Sequence, residues 1–97
     1  DRRSARMQKF IKTHEGRFDV NDKQELVIRV KDSAEQQKIA ATIPLSLARS
    51  GADFAQDSKG FMLILGTKAE LERDEANKIL LPLFTSYPSS PTGIGGQ

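Results

Sequence analysis

Residues 60–70 read GFMLILGTKAE, and this stretch decides the fold. An unbroken apolar run over 61–65 lies between two glycines, a pattern typical of a strand that is covered on both faces. Thr67 and Glu70 then have the spacing of a capping box, in which each side chain accepts a hydrogen bond from a backbone N–H group at the start of a helix. The stretch therefore predicts a central strand, followed by a helix that continues to the residue before Pro82.

Upstream of this unit, the sequence predicts a β-hairpin. Polar and apolar residues alternate over 17–20 and again over 25–31, and residues 21–22 are Asn-Asp, which favour a turn. In the second of these strands, alternate apolar side chains share one face: Leu26, Ile28 and Val30.

Residues 32–43 fit two different structures. Asp32 and Glu35 have the spacing of a second capping box, which favours a helix. Against this, alternate positions over 38–43 are apolar, and Pro44 biases the residue before it towards an extended conformation. We expect a strand over 38–43, which would be the third strand of an antiparallel meander, and the helix is left as the alternative.

A short helix is predicted after this segment. Pro44 suits the first position of a helix and Gly51 suits the position just past its end. Leu45 and Leu47 would then be available to the core. The ten residues that begin with Gly51 are predicted to form a loop, and the alternative is that the helix continues to about residue 56.

Together these segments predict a single α+β domain over residues 1–85, since a chain of 97 residues has the length of one domain. We expect a small two-layer sandwich, in which an antiparallel sheet of about four strands is covered by two to three helices, in the approximate order α-β-β-β-α-β-α. The expected core consists of apolar side chains from every predicted layer: Phe18, Leu26, Ile28, Val30, Ile43, Phe61, Leu63, Leu65, Leu71, Ile79 and Leu80. Residues 86–97 are rich in Pro, Ser and Gly, which predicts a flexible tail or linker.

The basic residues are concentrated at the start of the chain. Residues 1–17 hold six basic and two acidic groups, whereas the other 80 residues have an acidic excess, so the overall net charge is +2. We expect a basic amphipathic helix over 1–15. Whether this helix packs on the domain or lies at its periphery is left open. Its apolar stripe has helical spacing: Met7, Phe10, Ile11 and His14. The candidate contacts to anions or nucleic acid lie outside that stripe: Arg2, Arg3, Arg6, Lys9 and Lys12.

Three roles are open for this helix. In the first, the stripe docks on the domain and the cations are a solvated face. In the second, the cations contact the phosphates of a nucleic acid, whose binding weakens as salt is raised. In the third, they contact an acidic protein or an anionic lipid surface.

Most catalytic chemistry is excluded by composition. The chain has no Cys, so disulfides, cysteine-based zinc sites and cysteine nucleophiles are absent, and the single histidine, His14, continues the apolar stripe of the helix. Neither a GxGxxG nor a GxxxxGK[ST] motif is present. The segment with Asp53 and Asp57 lacks the dense alternation of acidic residues in a calcium loop. Glu70 and Asp74 are explained as acidic residues near the N-terminus of a predicted helix. We therefore expect no enzyme activity, no cofactor and no metal site.

The function expected from these features is a non-catalytic protein–protein interaction or assembly module. Because the chain opens at Asp1 rather than Met, we expect a processed product or a domain of a larger protein. The alternative is a nucleic-acid-binding domain, and a homodimer through an exposed sheet edge is a further possibility. No apolar run approaches the ~20 residues of a membrane span, which predicts a soluble domain. The compartment is left open, with the cytoplasm favoured.

Overall fold

The computed structural model describes residues 2–47 and 52–86, with side chains described over 5–47 and 52–84. The elements, in chain order, are α1 (Arg2–Thr13), β1 (Phe18–Val20), β2 (Glu25–Val30), α2 (Ser33–Ala40), β3 (Asp53–Asp57), β4 (Gly60–Thr67), α3 (Lys68–Leu71), a 3₁₀ helix (Glu75–Leu80) and α4 (Pro82–Ser86). The tail was predicted over 86–97, but Ser86 is the last residue of α4. Residues 87–97 lie outside the described residues, so there the tail stays a prediction.

The four strands form one antiparallel sheet in the order β1-β2-β4-β3. The predicted α+β class, with an antiparallel sheet covered by helices, is therefore confirmed. β4 is an inner strand, as its apolar run predicts, and Leu63 faces Ile28 on one side and Phe54 on the other. Successive side chains of a strand point to opposite faces, and both Met62 and Leu63 are buried, so β4 is covered on both faces.

The core lies between one face of the sheet and the helices. The alternation along β2 places its predicted apolar residues in that core, and α1 contributes Met7 and Phe10 and packs against the 3₁₀ helix. Nine of the eleven predicted core residues are buried, and Phe61 and Ile79 are partly buried against the same cluster. Buried apolar side chains beyond these eleven include Val20, Val27, Ile39, Leu47, Met62 and Ala76.

The favoured strand over 38–43 is wrong, and the helical alternative for this segment is correct. The Asp32 carboxylate accepts a hydrogen bond from the Glu35 N–H group, and the Glu35 carboxylate accepts one from the Lys31 N–H group, so a helix begins here. Within α2, the buried Gln36 amide donates to the carbonyl oxygens of Ala55 and Met62 at 3.1 and 2.9 Å. These two bonds attach α2 to β3 and β4.

The predicted loop after Gly51 is also wrong over part of its length, because residues 53–57 form edge strand β3. β3 and β4 are joined by a tight hairpin in which Asp57 pairs with Gly60. Gly60 has a φ of +124°, a backbone conformation that residues with a Cβ atom rarely adopt. The third strand of the sheet therefore comes later in the chain than expected.

The predicted short helix from Pro44 is a turn over the described residues 44–47, and residues 48–51 lie outside the described part of the chain. The Leu47 N–H group donates to the Pro44 carbonyl at 3.1 Å. Leu47 is buried, as expected, but Leu45 is 88% exposed, so its expected place in the core is wrong.

The capping box at Thr67 and Glu70 forms, but the helix after it is one turn long, not the continuous helix predicted. Asp74 has extended backbone angles, and its carboxylate accepts from the Ala76 N–H group and so starts the 3₁₀ helix. Pro82 does not end the helical region. It is the first residue of α4, where its missing N–H group costs nothing.

Candidate interaction groove

An open groove of about 500 Å³ lies between α1 and the turn that follows α2. We call it the groove. Its lining residues come from two segments of the chain that are almost thirty residues apart: Arg6, Lys9, Phe10, Thr13 and His14 on one side, and Thr42, Ile43, Pro44 and Leu45 on the other. The lining is mainly apolar, with two cations on the side formed by α1.

The helical periodicity of α1 positions the first side of the groove. Met7 and Phe10 are buried in the core, and Ile11 is partly buried. Arg6 and Lys9 each precede one of the buried residues by one position, so they lie beside the buried stripe and remain exposed. The amphipathic pattern of α1 therefore places buried apolar side chains directly beside exposed cations along this side of the groove.

His14 forms the end of this side of the groove. Its Nδ1 lies 2.9 Å from the Phe10 carbonyl oxygen, and because a carbonyl oxygen only accepts, Nδ1 is the donor. The His14 and Phe10 rings are 4.6 Å apart, and Phe10 makes an edge-on contact with Phe18 in β1. These contacts hold His14 in a buried, structural position.

The second side of the groove is a turn held at both ends. The Thr42 hydroxyl donates to the Ile39 carbonyl at 2.7 Å, and the buried side chains of Ile43 and Leu47 anchor the turn in the core. Leu45 lies between these anchors and projects into solvent. A large apolar side chain is thus exposed between two buried ones, next to the apolar lining of the groove.

Two arginines within the described residues form ion pairs that connect different elements of the fold. Arg17 pairs with Glu35 at 2.7 Å, and Arg29 pairs with Asp19 and Asp57 at 3.1 and 2.8 Å. The hydrogen bond from Arg17 lowers the pKa of Glu35, and those from Arg29 lower the pKa of Asp57. Both arginines are therefore already paired with acidic side chains of the same chain.

The candidate cations of α1 differ from these. Arg6, Lys9 and Lys12 are exposed and make no ion pair with any described residue. Arg6 and Lys9 line the groove, whereas Lys12 is not among its lining residues. Arg2 and Arg3 lie on the first turn of α1, and their side chains are outside the described part.

Sequence reasoning found one side of the groove and missed the other. The basic helix was predicted, and with it Arg6 and Lys9. The turn over 42–45 was missed because its residues were divided between a predicted strand and a predicted helix. The available signal was Pro44 beside Leu45, since a proline next to an apolar residue also fits an exposed turn.

Within the described ranges, no cluster of three or more His, Asp or Glu side chains could hold a metal ion. None of the described helices is both long and apolar enough to cross a bilayer. Comparison with protein-family models, curated proteins and solved structures found no match to this chain.

Proposed function

We propose that this chain is a non-catalytic protein interaction module that binds an acidic segment of a partner protein in the groove. The observation that supports this most directly is the 88% exposure of Leu45 beside two cations, Arg6 and Lys9, that have no acidic partner among the described residues. Leu45 is not isolated on the surface, because it continues the apolar lining formed by Phe10 and Ile43, and a continuous exposed apolar surface marks a site of interaction.

The free energies involved favour a protein segment with both apolar and acidic groups. Burial of Leu45 alone against a partner is worth about 1.5–3 kcal/mol. Charges at the rim of an interface contribute mainly to specificity and to the rate of association. Since α1 carries five basic residues and no acidic one, an acidic segment complements it and a basic segment is repelled.

Selection from a displayed library of random peptides tests the proposal. We expect the intact chain to enrich peptides in which Asp or Glu flanks Leu, Ile or Phe. The enrichment should be lost for a variant with Arg6→Glu and Lys9→Glu, and for Leu45→Asp. A matched charge reversal at two exposed lysines outside the groove, Lys23→Glu and Lys59→Glu, should retain it.

Two results would contradict the proposal. One is the absence of any enriched peptide class. The other is enrichment of the same peptides by the wild-type chain and by both groove variants, which would place the binding surface elsewhere.

A nucleic-acid-binding function is the second candidate, and it is favoured by Arg6, Lys9 and Lys12, which make no ion pair with any described residue. On this alternative Lys12, outside the groove, contributes as much as Arg6, because phosphate contacts need charge and not an apolar wall. Binding to a generic duplex DNA and a single-stranded RNA should then weaken steeply as salt is raised, with a slope of about −0.9 per phosphate contact on DNA. Absence of binding at low salt would remove this candidate.

A second copy of the chain is a further candidate partner, through a sheet edge. β3 is an edge strand. If two copies of β3 paired in antiparallel fashion around Ala55, Asp53 of one would lie opposite Asp57 of the other, and like charges in such a pair are destabilising. We therefore rank this homodimer below the groove, and sedimentation equilibrium over a range of concentrations measures it directly.

A further inference from the structure

We infer that the segment bound in the groove is an amphipathic α-helix with two carboxylates one turn apart, and this inference rests on the proposed function. The groove is formed by a helix on one side and a turn on the other, and none of its lining residues belongs to a strand. A bound peptide could be helical or extended. The hydrogen-bonding groups that the groove presents to a peptide backbone decide between the two.

The groove offers little hydrogen bonding to an extended peptide. The N–H groups of α1 are used within the helix beyond its first turn. On the other side, the Thr42 N–H group donates to the Ile39 carbonyl at 2.9 Å and the Ile43 N–H group donates to the Ala40 carbonyl at 3.3 Å. Pro44 has no N–H group. Of the lining residues of the turn, Leu45 alone has an N–H group without a backbone acceptor among the described residues. An extended segment would therefore bury most of its carbonyl groups without a backbone donor, which costs free energy.

A helix does not have this cost, because its backbone groups are bonded within the segment. A bound helix can place apolar side chains against Phe10, Ile43 and Leu45 while its own backbone hydrogen bonds stay intact. This mode of recognition uses anchors at helical spacing, such as i, i+3 or i+4, and i+7. The apolar lining of the groove suits it.

The length of the groove also fits two helical turns. The lining residues of α1 extend from Arg6 to Thr13, which is about 10 Å along the helix axis at 1.5 Å per residue. A partner helix laid beside α1 presents two to three apolar side chains over that distance.

The spacing of the cations determines the spacing of the partner's acids. Arg6 and Lys9 are three residues apart on α1, so they are neighbours on its surface, roughly 5–6 Å apart at Cβ. Two carboxylates at i and i+3, or at i and i+4, on a helix have the same separation. Each cation can then meet one carboxylate. Lys12 is not among the lining residues, which is why we infer two acids and not three.

Three labelled synthetic peptides of about sixteen residues and equal charge test the inference. The first has an apolar stripe at helical spacing and two Glu residues at i and i+4. The second is a permutation of the same residues without the stripe. The third is the first with a central Pro, which breaks the helix. Affinity is measured by fluorescence anisotropy, and the binding surface by NMR chemical-shift changes of the intact chain.

We expect the first peptide to bind at least tenfold more tightly than the other two, with shift changes along α1 and over 42–47 and a gain of helical circular dichroism on binding. Replacement of both Glu residues by Gln should weaken its binding to the wild-type chain, but should have little effect on the Arg6→Ala, Lys9→Ala variant.

The failures of the two proposals are distinguishable. If the Pro-containing peptide binds as tightly as the first, with the same shift changes in the groove, the helical inference is overturned and the acidic-segment function stands. If no acidic peptide perturbs the groove, and the library selection fails as well, both are overturned. If the Gln peptide binds as tightly as the Glu peptide, the two-carboxylate inference is overturned.

Discussion

The guanidinium group of Arg29 in β2 forms a two-point ion pair with the carboxylate of Asp57 in β3, with distances of 2.8 Å from Nη1 to Oδ1 and 3.0 Å from Nη2 to Oδ2. β4 lies between these strands, so the pair spans a neighbouring strand. The Nε atom of Arg29 also donates to Oδ2 of Asp19 in β1, at 3.1 Å. One planar side chain with several fixed donors thus links both edge strands to an inner strand.

The first prediction concerns acid stability. The hydrogen bonds from Arg29 lower the pKa of Asp57, and such a carboxyl stabilises the folded chain above its unfolded-state pKa of about 4. That contribution is lost as the pH falls through the lower folded-state pKa. We expect the free energy of unfolding, measured with urea, to decrease as the pH is lowered from about 5 to about 2.

Asp57→Asn should lower the free energy of unfolding by roughly 1–2 kcal/mol at neutral pH, because it removes one partner of a partly exposed pair. Its further decrease in acid should be smaller than that of the wild-type chain. Asp22→Asn, at an exposed turn position without an ion pair among the described residues, is the control. An equal acid-dependent decrease in Asp57→Asn and wild type would contradict the role of this pair.

The second prediction concerns Asn77 in the 3₁₀ helix. Its side chain is fully buried, and neither its Oδ1 nor its Nδ2 atom has a hydrogen-bond partner among the described residues. A buried amide without partners costs about 1–3 kcal/mol. Asn77→Leu, which has a similar branched shape, should raise the free energy of unfolding by about 1 kcal/mol.

Asn21 is the matched control for this change. It is also buried, but its Oδ1 atom accepts from the N–H groups of Lys23 and Glu25, and its Nδ2 atom donates to the Glu25 carboxylate. Asn21→Leu should therefore destabilise the chain by more than about 2 kcal/mol. A loss of stability in both variants would contradict the prediction for Asn77.

The third prediction concerns Gln36, whose amide nitrogen donates to two strand carbonyls. Gln36→Glu places a carboxylate against those oxygens, so burial and repulsion raise the pKa of the introduced group. A raised folded-state pKa destabilises the fold as the pH rises through the unfolded value. We expect a loss of about 3 kcal/mol at neutral pH and a smaller loss near pH ~4, where the protonated carboxyl can donate.

Urea denaturation of Gln36→Glu at the two pH values measures this difference, and Gln37→Glu, an exposed neighbour in the same helix, is the control. The same loss at both pH values would mean that the defect is one of packing and not of hydrogen bonding to the sheet.

The fourth prediction separates the two leucines of the turn. Leu45 is 88% exposed and Leu47 is buried. Leu45→Asp should change the free energy of unfolding by no more than about 0.5 kcal/mol, so its effect on binding reports on the groove. Leu47→Ala should destabilise the chain by roughly 2–5 kcal/mol, because it leaves a cavity in the core. Thermal unfolding of both variants tests this, and a large loss of stability in Leu45→Asp would contradict the exposed position of that side chain.

Parts of the fold and one side of the groove were predictable because their signals are local. The alternation along β2 and the apolar run of β4 indicate burial by themselves, and the spacing of Met7 and Phe10 indicates which side of α1 faces the core. Arg6 and Lys9 followed from the same periodicity. Polar β3 was not predictable in this way, since an edge strand with Phe54 half exposed has no burial pattern that distinguishes it from a loop.

The amino-acid sequence by itself determined the hairpin, the inner strand and the basic amphipathic helix, because periodicity and capping act between residues that are close in the chain. The tertiary structure decided in favour of helix α2 over the strand expected at 38–43, since Gln36 finds its carbonyl partners only when β3 and β4 are assembled. It also created the groove. Two segments almost thirty residues apart meet there only because Phe10 and Ile43 are buried in the same core.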